Sequence, residues 1–182
     1  MIVAPRGLLL TAALAAAVAV TGCANAERPS VQADTVVLPT PMRSLTLPAT
    51  TALRQVESAL LAIGERLVEP KRPYRPSEPT GLLQVPRALA RADVADADDG
   101  FVVIYSPTRP AQAQVLADEL ATYLGSGFGQ TNYPADAQFA VATLGDAVLF
   151  TWWSRSRSSD PTRAEAVFDA VSSVGEAVEV RK

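Results

Sequence analysis

The amino-acid sequence predicts an α+β fold in its C-terminal half, preceded by an amphipathic helix. Three observations support this prediction: apolar runs that alternate with helical patterns, a Gly-Asp pair between two such runs, and an Asp-Pro pair before the last helical pattern. Together they predict the order β-α-β-β-α-β for residues 100–182.

The first predicted strand and helix follow Gly100. The run FVVIYS at 101–106 is rich in β-branched and aromatic residues and ends at Pro107, as is typical of a strand buried on both faces. The helical pattern that follows places five apolar residues on one side and stops at Gly125. These residues are Val115, Leu116, Leu120, Tyr123 and Leu124.

A hairpin and a second helix complete the pattern. The apolar runs at 137–144 and 147–153 flank Gly145, a residue suited to a tight hairpin turn. Asp160, followed by Pro161, predicts a helix start, and Gly175 predicts its end. The alternating residues 177–181 predict an edge strand.

Both helices are expected on one face of the sheet, which leaves the other face to be covered. The predicted helix at 49–69 is the candidate, because its apolar residues recur at spacings of three and four. We therefore expect it to cover the open face; if it is not part of the core, the stripe is the better candidate for a partner-binding surface. The stripe comprises Leu53, Val56, Leu60, Ile63 and Leu67.

The predicted order resembles the ferredoxin-like sandwich, in which the first and third strands are central. It also resembles the sporulation-related repeat family, whose members bind the glycan strands of peptidoglycan. FVVIYSPTRPAQAQVLADEL is similar to the family's first strand and helix, and SDPTRAEAVF to its second helix start. This resemblance implies an envelope protein that binds peptidoglycan.

The N-terminal segment has the features of an export signal. Arg6 is followed by about 13 apolar residues, too few to span a bilayer as a helix. Val20-Thr21-Gly22-Cys23 then resembles the lipobox of bacterial lipoproteins. The resemblance implies cleavage after residue 22 and a diacylglyceryl group on Cys23; the alternative is a free thiol near a cleavage site.

The predicted lipid anchor places the chain at a bacterial cell membrane, on its extracytoplasmic side. Acyl chains on Cys23 give stable attachment. Residues 23–48 are then the lipidated cysteine and a flexible tether. Residues 70–99 are predicted to be a proline-rich linker with a short helix near 87–91 and an acidic loop. The aspartates of that loop suggest either a polar turn or a calcium site, although their spacing does not fit an EF-hand.

Composition excludes several classes of function. The chain has no histidine and a single cysteine, so no catalytic triad, imidazole metal site or disulfide is expected. The net charge of −3 and the absence of a basic cluster argue against nucleic acid. We expect no catalytic residues, no metal and no cofactor.

Two stretches are candidate partner-binding surfaces. The loop at 126–136 places Phe128, Asn132 and Tyr133 among small residues. The stretch 151–160 combines tryptophans with arginines, a common recognition pairing that is equally common as ordinary packing. At most one of the two tryptophans is expected in the helix-side core. The candidates there are Trp152, Trp153, Arg155 and Arg157.

The expected function is therefore that of a non-enzymatic, lipid-anchored envelope protein that binds a protein partner or a small ligand. The alternative is the peptidoglycan-binding function that the family resemblance implies.

Overall fold

The computed structural model describes residues 45–70, 77–94 and 100–181. These residues combine helices with a six-stranded sheet, as expected of an α+β protein. The predicted signal peptide, Cys23 and most of the predicted tether lie outside the described residues. The elements are α1 (Leu47–Ala62), β1 (Leu67–Val68), β2 (Arg87–Ala92), β3 (Phe101–Tyr105), α2 (Gln112–Gly125), α3 (Gly127–Gln130), β4 (Gln138–Leu144), β5 (Ala147–Trp153), α4 (Pro161–Ser172) and β6 (Glu176–Val178).

The sheet is antiparallel, with its strands in the order β1-β2-β3-β5-β4-β6. Every residue of the central strands β3 and β5 is buried, and Val103 lies opposite Phe150 in their register. This confirms the strand predicted after Gly100. The predicted hairpin is also confirmed, and Gly145 in its turn has the positive φ of +56° that such turns require.

Strand β2 corrects the prediction of a short helix near 87–91. Its sequence, RALARA, is composed of residues with good helix propensity. However, β2 pairs with β3 along its length, with Leu89 opposite Val103. Ala88 and Ala90 are buried in the same core cluster as α1. Burial against a strand and a helix thus outweighs a weak local preference, and the predicted linker at 70–99 contributes a strand to the sheet.

The position of β6 differs from the ferredoxin-like expectation. If the first and third predicted strands, β3 and β5, were the centre of a four-stranded sheet, the last strand would lie beside β3. Instead β6 pairs with β4, with Ala142 opposite Ala177. The position beside β3 is occupied by β2, which precedes it in the chain. The ferredoxin-like strand order is therefore not confirmed.

The expectation that α2 and α4 share one face of the sheet is wrong. Helix α2 packs in a cluster with Val103 and Phe150, whereas α4 packs in another cluster with Ile104 and Leu149. The location of β6 explains the difference. Crossover connections between parallel strands are nearly always right-handed. Both crossovers, β3-α2-β4 and β5-α4-β6, move the chain toward the same edge of the sheet. Because β3 and β5 run in opposite directions, two right-handed crossovers place their helices on opposite faces.

Helix α1 belongs to the core, on the same face as α4. Val56 and Leu60 of the predicted stripe are fully buried there, whereas Ile63 lies beyond the end of the helix and is 44% exposed. The helix is shorter than the predicted 49–69, because it ends at Ala62, just before Gly64 adopts a φ of +80°. Leu67 therefore lies in β1. In the described ranges, no helix has both the length and the apolar character needed to cross a membrane.

Candidate functional site

The two candidate stretches, 126–136 and 151–160, meet at Asp136. Its carboxylate accepts hydrogen bonds from the Ser156 hydroxyl at 2.7 Å, the Ser156 N–H at 2.8 Å and the Ser154 hydroxyl at 2.7 Å. These bonds favour the ionised form and hold the pKa of Asp136 well below its ordinary value of 3.8. One charged side chain thus joins both stretches into a single surface, which we call the loop surface.

Phe128 is a large hydrophobic residue exposed on the loop surface. Its side chain is 74% exposed and lies in α3. Ser126 caps this short helix by accepting the Gly129 N–H at 3.0 Å, and the exposed Asn132 donates its side-chain amide to the Phe128 carbonyl at 3.4 Å. Gly129 is required for close packing, because a Cβ there would lie 2.0 Å from the Tyr123 carbonyl oxygen. Phe128 is therefore held in solvent by a hydrogen-bonded turn.

Tyr133 supports the surface from beneath. Its ring packs edge-on against Phe139 at 4.9 Å and Trp152 at 5.2 Å between centroids. Its hydroxyl donates a hydrogen bond to the Ser77 carbonyl at 3.2 Å. Tyr133 therefore fixes the loop to the sheet and to the segment before β2, and its side chain is half-buried there.

The two tryptophans lie on opposite faces of the sheet, as their alternation predicts, but both are buried; the expectation that at most one joins the helix-side core assumed helices on one face only. Trp152 packs on the α2 face, whereas Trp153 lies near Phe168 of α4, with 6.3 Å between ring centroids. Both are covered because helices occupy both faces of the sheet. Neither side chain is an exposed recognition residue.

The arginines of the second stretch remain at the surface. The Arg155 guanidinium lies 5.8 Å from the Trp153 ring centroid and pairs with Glu165 at 3.0 Å. Arg157 is exposed in the same short turn. The tryptophan–arginine pairing is thus present, but the ring is covered and only the cations face solvent.

A buried polar cluster around Glu78 was not predicted. The Glu78 side chain is 3% exposed, pairs with Arg87 and accepts the Tyr105 hydroxyl at 2.7 Å. Burial of the phenol and this bond to a carboxylate raise the pKa of Tyr105. Nearby, the hydroxyls of Ser77 and Tyr123 are 2.5 Å apart. These contacts fix the end of the proline-rich segment to the sheet and to α2.

Next to that segment a shallow, open groove lies along α2. The groove has a volume of about 620 Å³ and a mainly apolar lining. Glu119 is held at its side by accepting the Gly81 N–H at 3.2 Å. We call it the α2 groove; it is lined by Pro79, Val115, Asp118, Glu119, Thr122, Tyr123 and Ser126.

The buried carboxylates among the described residues are paired with arginines. No cluster of three or more potential metal ligands occurs among them. The two most buried carboxylates are paired, Glu65 with Arg163 and Glu78 with Arg87.

Comparison with known proteins identifies no family for this chain. No protein-family model, no curated protein and no solved structure is significantly similar to it. Its function is therefore inferred from its own residues and their geometry.

Proposed function

We propose that the chain is a bacterial cell-envelope lipoprotein whose folded part is a non-enzymatic binding module. It is held on the extracytoplasmic side of the cell membrane by lipid on Cys23. The lipobox-like sequence Val20-Thr21-Gly22-Cys23 at the end of a short apolar run supports this anchor. The lack of any other cysteine makes Cys23 the single possible site of thioether lipidation.

The exposure of Phe128 is the observation that carries the binding function. Phe128 is 74% exposed, and its ring lies edge-on to that of Tyr123, so two aromatic side chains stand together at this surface. It sits on a capped turn, tied through the rest of the loop surface to β5, so its position is defined before any partner arrives. Rigid, exposed aromatic residues are typical anchors of protein interfaces.

The chemistry of the chain supports binding rather than catalysis. Without histidine or an unlipidated cysteine, an enzyme would depend on carboxylates, lysine or hydroxyls. Glu119 and Glu165, two carboxylates near the candidate surfaces, are engaged by Gly81 and Arg155. Neither faces a second carboxylate in a described contact.

Peptidoglycan binding is the alternative that follows from the family resemblance. Residues 101–153 share one feature with the ferredoxin-like strand order: β5, the third predicted strand, lies between β3 and β4, the first and second predicted strands. The opposite-face packing of α2 and α4 gives no further support to this relationship. We therefore favour a protein or small ligand over glycan.

Site-specific photocross-linking tests the binding function. A photoreactive phenylalanine analogue at position 128 of the full chain, illuminated in intact cells, should give a discrete adduct. The same analogue at Leu61, which is 54% exposed on the opposite face of the sheet, is the matched control. No adduct at 128, or the same adduct at both positions, would contradict the proposal. Retention of the unlinked protein on purified sacculi would instead favour peptidoglycan.

A further inference from the structure

The α2 groove has apolar ends and an acidic middle. Val115, which the sequence pattern places with the apolar side of α2, is instead 64% exposed and forms one end. Tyr123 forms the other, and Phe128 extends the apolar surface beyond it, with their ring centroids 6.1 Å apart. Asp118 and Glu119 lie between these ends on the same helix. One oxygen of each carboxylate accepts a hydrogen bond, from the Gln114 side chain and the Gly81 N–H respectively, and the other oxygen of each accepts none from the described residues. A ligand that fills the groove must therefore bring apolar groups to its ends and tolerate, or neutralise, two carboxylates between them.

The local charge favours a cation at the centre. Between Arg109 and Arg155 the sequence has no lysine or arginine but four carboxylates, two of which are Asp118 and Glu119. Of the described cations near α2, Arg87 pairs with the buried Glu78. Arg181 pairs with Glu179 at the surface and lines a neighbouring depression together with Asp118. An approaching peptide with a basic side chain is complementary to this charge, whereas an acidic one is repelled.

The dimensions of α2 set the spacing of the ligand. Val115 and Tyr123 are eight residues apart, which corresponds to about 12 Å along a helix. In an extended peptide, side chains on one face recur about every 6.7 Å. Two apolar side chains that reach both ends are thus four residues apart, and the residue midway between them faces the two carboxylates.

We propose that the α2 groove binds an extended segment of a partner protein with the pattern apolar-x-basic-x-apolar. The basic side chain pairs with Asp118 and Glu119, and the apolar side chains contact Val115 at one end and Tyr123 with Phe128 at the other. This inference rests on the proposed binding function and names the chemistry of the partner. Pro79 is held beside the groove by its neighbours Ser77 and Glu78, so the binding surface is formed before the ligand arrives.

The test measures binding of synthetic peptides to the full chain in neutral lipid nanodiscs, with empty nanodiscs as the blank. The probe is a dye-labelled peptide, acetyl-Leu-Ser-Arg-Ser-Phe-amide, followed by fluorescence anisotropy. Replacing its arginine with glutamate should weaken binding about tenfold, because attraction becomes repulsion. Binding of the arginine peptide should also weaken as salt is raised.

Protein variants locate the site. Val115→Ser and Phe128→Ser should each weaken binding about fivefold through lost apolar contact. Both side chains are mainly exposed, so the fold should be retained, and thermal melts verify this. Leu61→Ser removes an exposed apolar side chain from the opposite face and should leave binding unchanged.

Three outcomes would overturn the proposal: no binding, equal binding of the glutamate peptide, or equal weakening by Leu61→Ser. A dimer in sedimentation that Phe128→Ser dissociates would also overturn it, since a second copy would then occupy the groove. These results can be told apart from a failure of the proposed binding function. A cross-link at position 128 without peptide binding would retain the binding module and reject this ligand chemistry.

Discussion

The Glu65 carboxylate and the Arg163 guanidinium form a bidentate ion pair, although the two residues are 98 positions apart in the sequence. Arg163 Nε lies 2.5 Å from Glu65 Oε1, and a terminal guanidinium nitrogen lies 2.8 Å from Oε2. The same guanidinium donates to the Asp93 carbonyl at 3.0 Å. Glu65 follows α1, Asp93 follows β2, and Arg163 lies in the first turn of α4. One cation therefore joins three elements on the α1 and α4 face of the sheet.

We expect Arg163→Gln to lower the free energy of unfolding by about 1–3 kcal/mol, because it leaves the 8%-exposed Glu65 without its cation. Arg163 itself is partly exposed, which keeps the cost below that of a fully buried pair. Urea denaturation measures the change. Arg155→Gln, which breaks the exposed pair with Glu165, should cost less than about 0.5 kcal/mol. Equal costs for the two variants would refute this assignment.

Asp136 should make the loop surface sensitive to acid. Because its pKa is lowered in the folded protein, its stabilising effect is fully present above the ordinary value of 3.8. The effect is lost as the pH falls through the lower folded pKa. Asp136→Asn should therefore destabilise the protein at pH 7, and the difference from the native chain should shrink below about pH 3.8.

Urea denaturation at several pH values measures this difference. Asp146→Asn, which removes the same charge at the exposed β4–β5 turn, is the matched control at each pH. A difference between Asp136→Asn and the native chain that stays constant down to pH 2 would contradict the role given to the serine hydrogen bonds.

Adjacent leucines in α1 provide a test of its place in the core. Leu60 is fully buried beneath the helix, whereas Leu61 is 54% exposed. Leu60→Ala should cost about 2–5 kcal/mol in unfolding free energy, since it leaves a cavity against the sheet. Leu61→Ala should change it by less than about 0.5 kcal/mol. If both variants melt like the native protein, α1 is not part of the folded core.

The anchor is tested by Cys23→Ser. The protein should lose its lipid mass and move from the detergent phase to the aqueous phase, because no second cysteine can form the thioether. Intact mass and phase partitioning measure the two effects. Ala24→Ser, which leaves the cysteine in place, should retain both properties. Lipid mass that persists in Cys23→Ser would rule out the anchor as proposed.

The central elements were predictable because their sequence patterns are local and strong. The continuous run of β3, the Gly145 turn and the Asp160 start of α4 each depend on neighbouring residues. Strand β2 was not predictable in this way. Its alanines and arginines favour a helix locally, and only pairing with β3 and cover by α1 make it a strand.

The missed strand had further consequences. Once β2 occupies the position beside β3, the last strand pairs with β4 and α4 crosses the opposite face. Trp153 is buried for the same reason, since it lies against α4. The Asp136 and Glu78 contacts were also missed, because their partners Ser154, Ser156 and Tyr105 are distant in sequence and follow no periodic pattern.

The close approach of Gly129 to the Tyr123 carbonyl has an evolutionary consequence. A methyl group at position 129 would displace the α3 turn, whereas a methyl group at Gly127 would meet nothing within 4 Å. Among descendants of this sequence, position 127 should drift freely between glycine and small polar residues. Position 129 should stay glycine for as long as natural selection keeps Phe128 displayed at the surface.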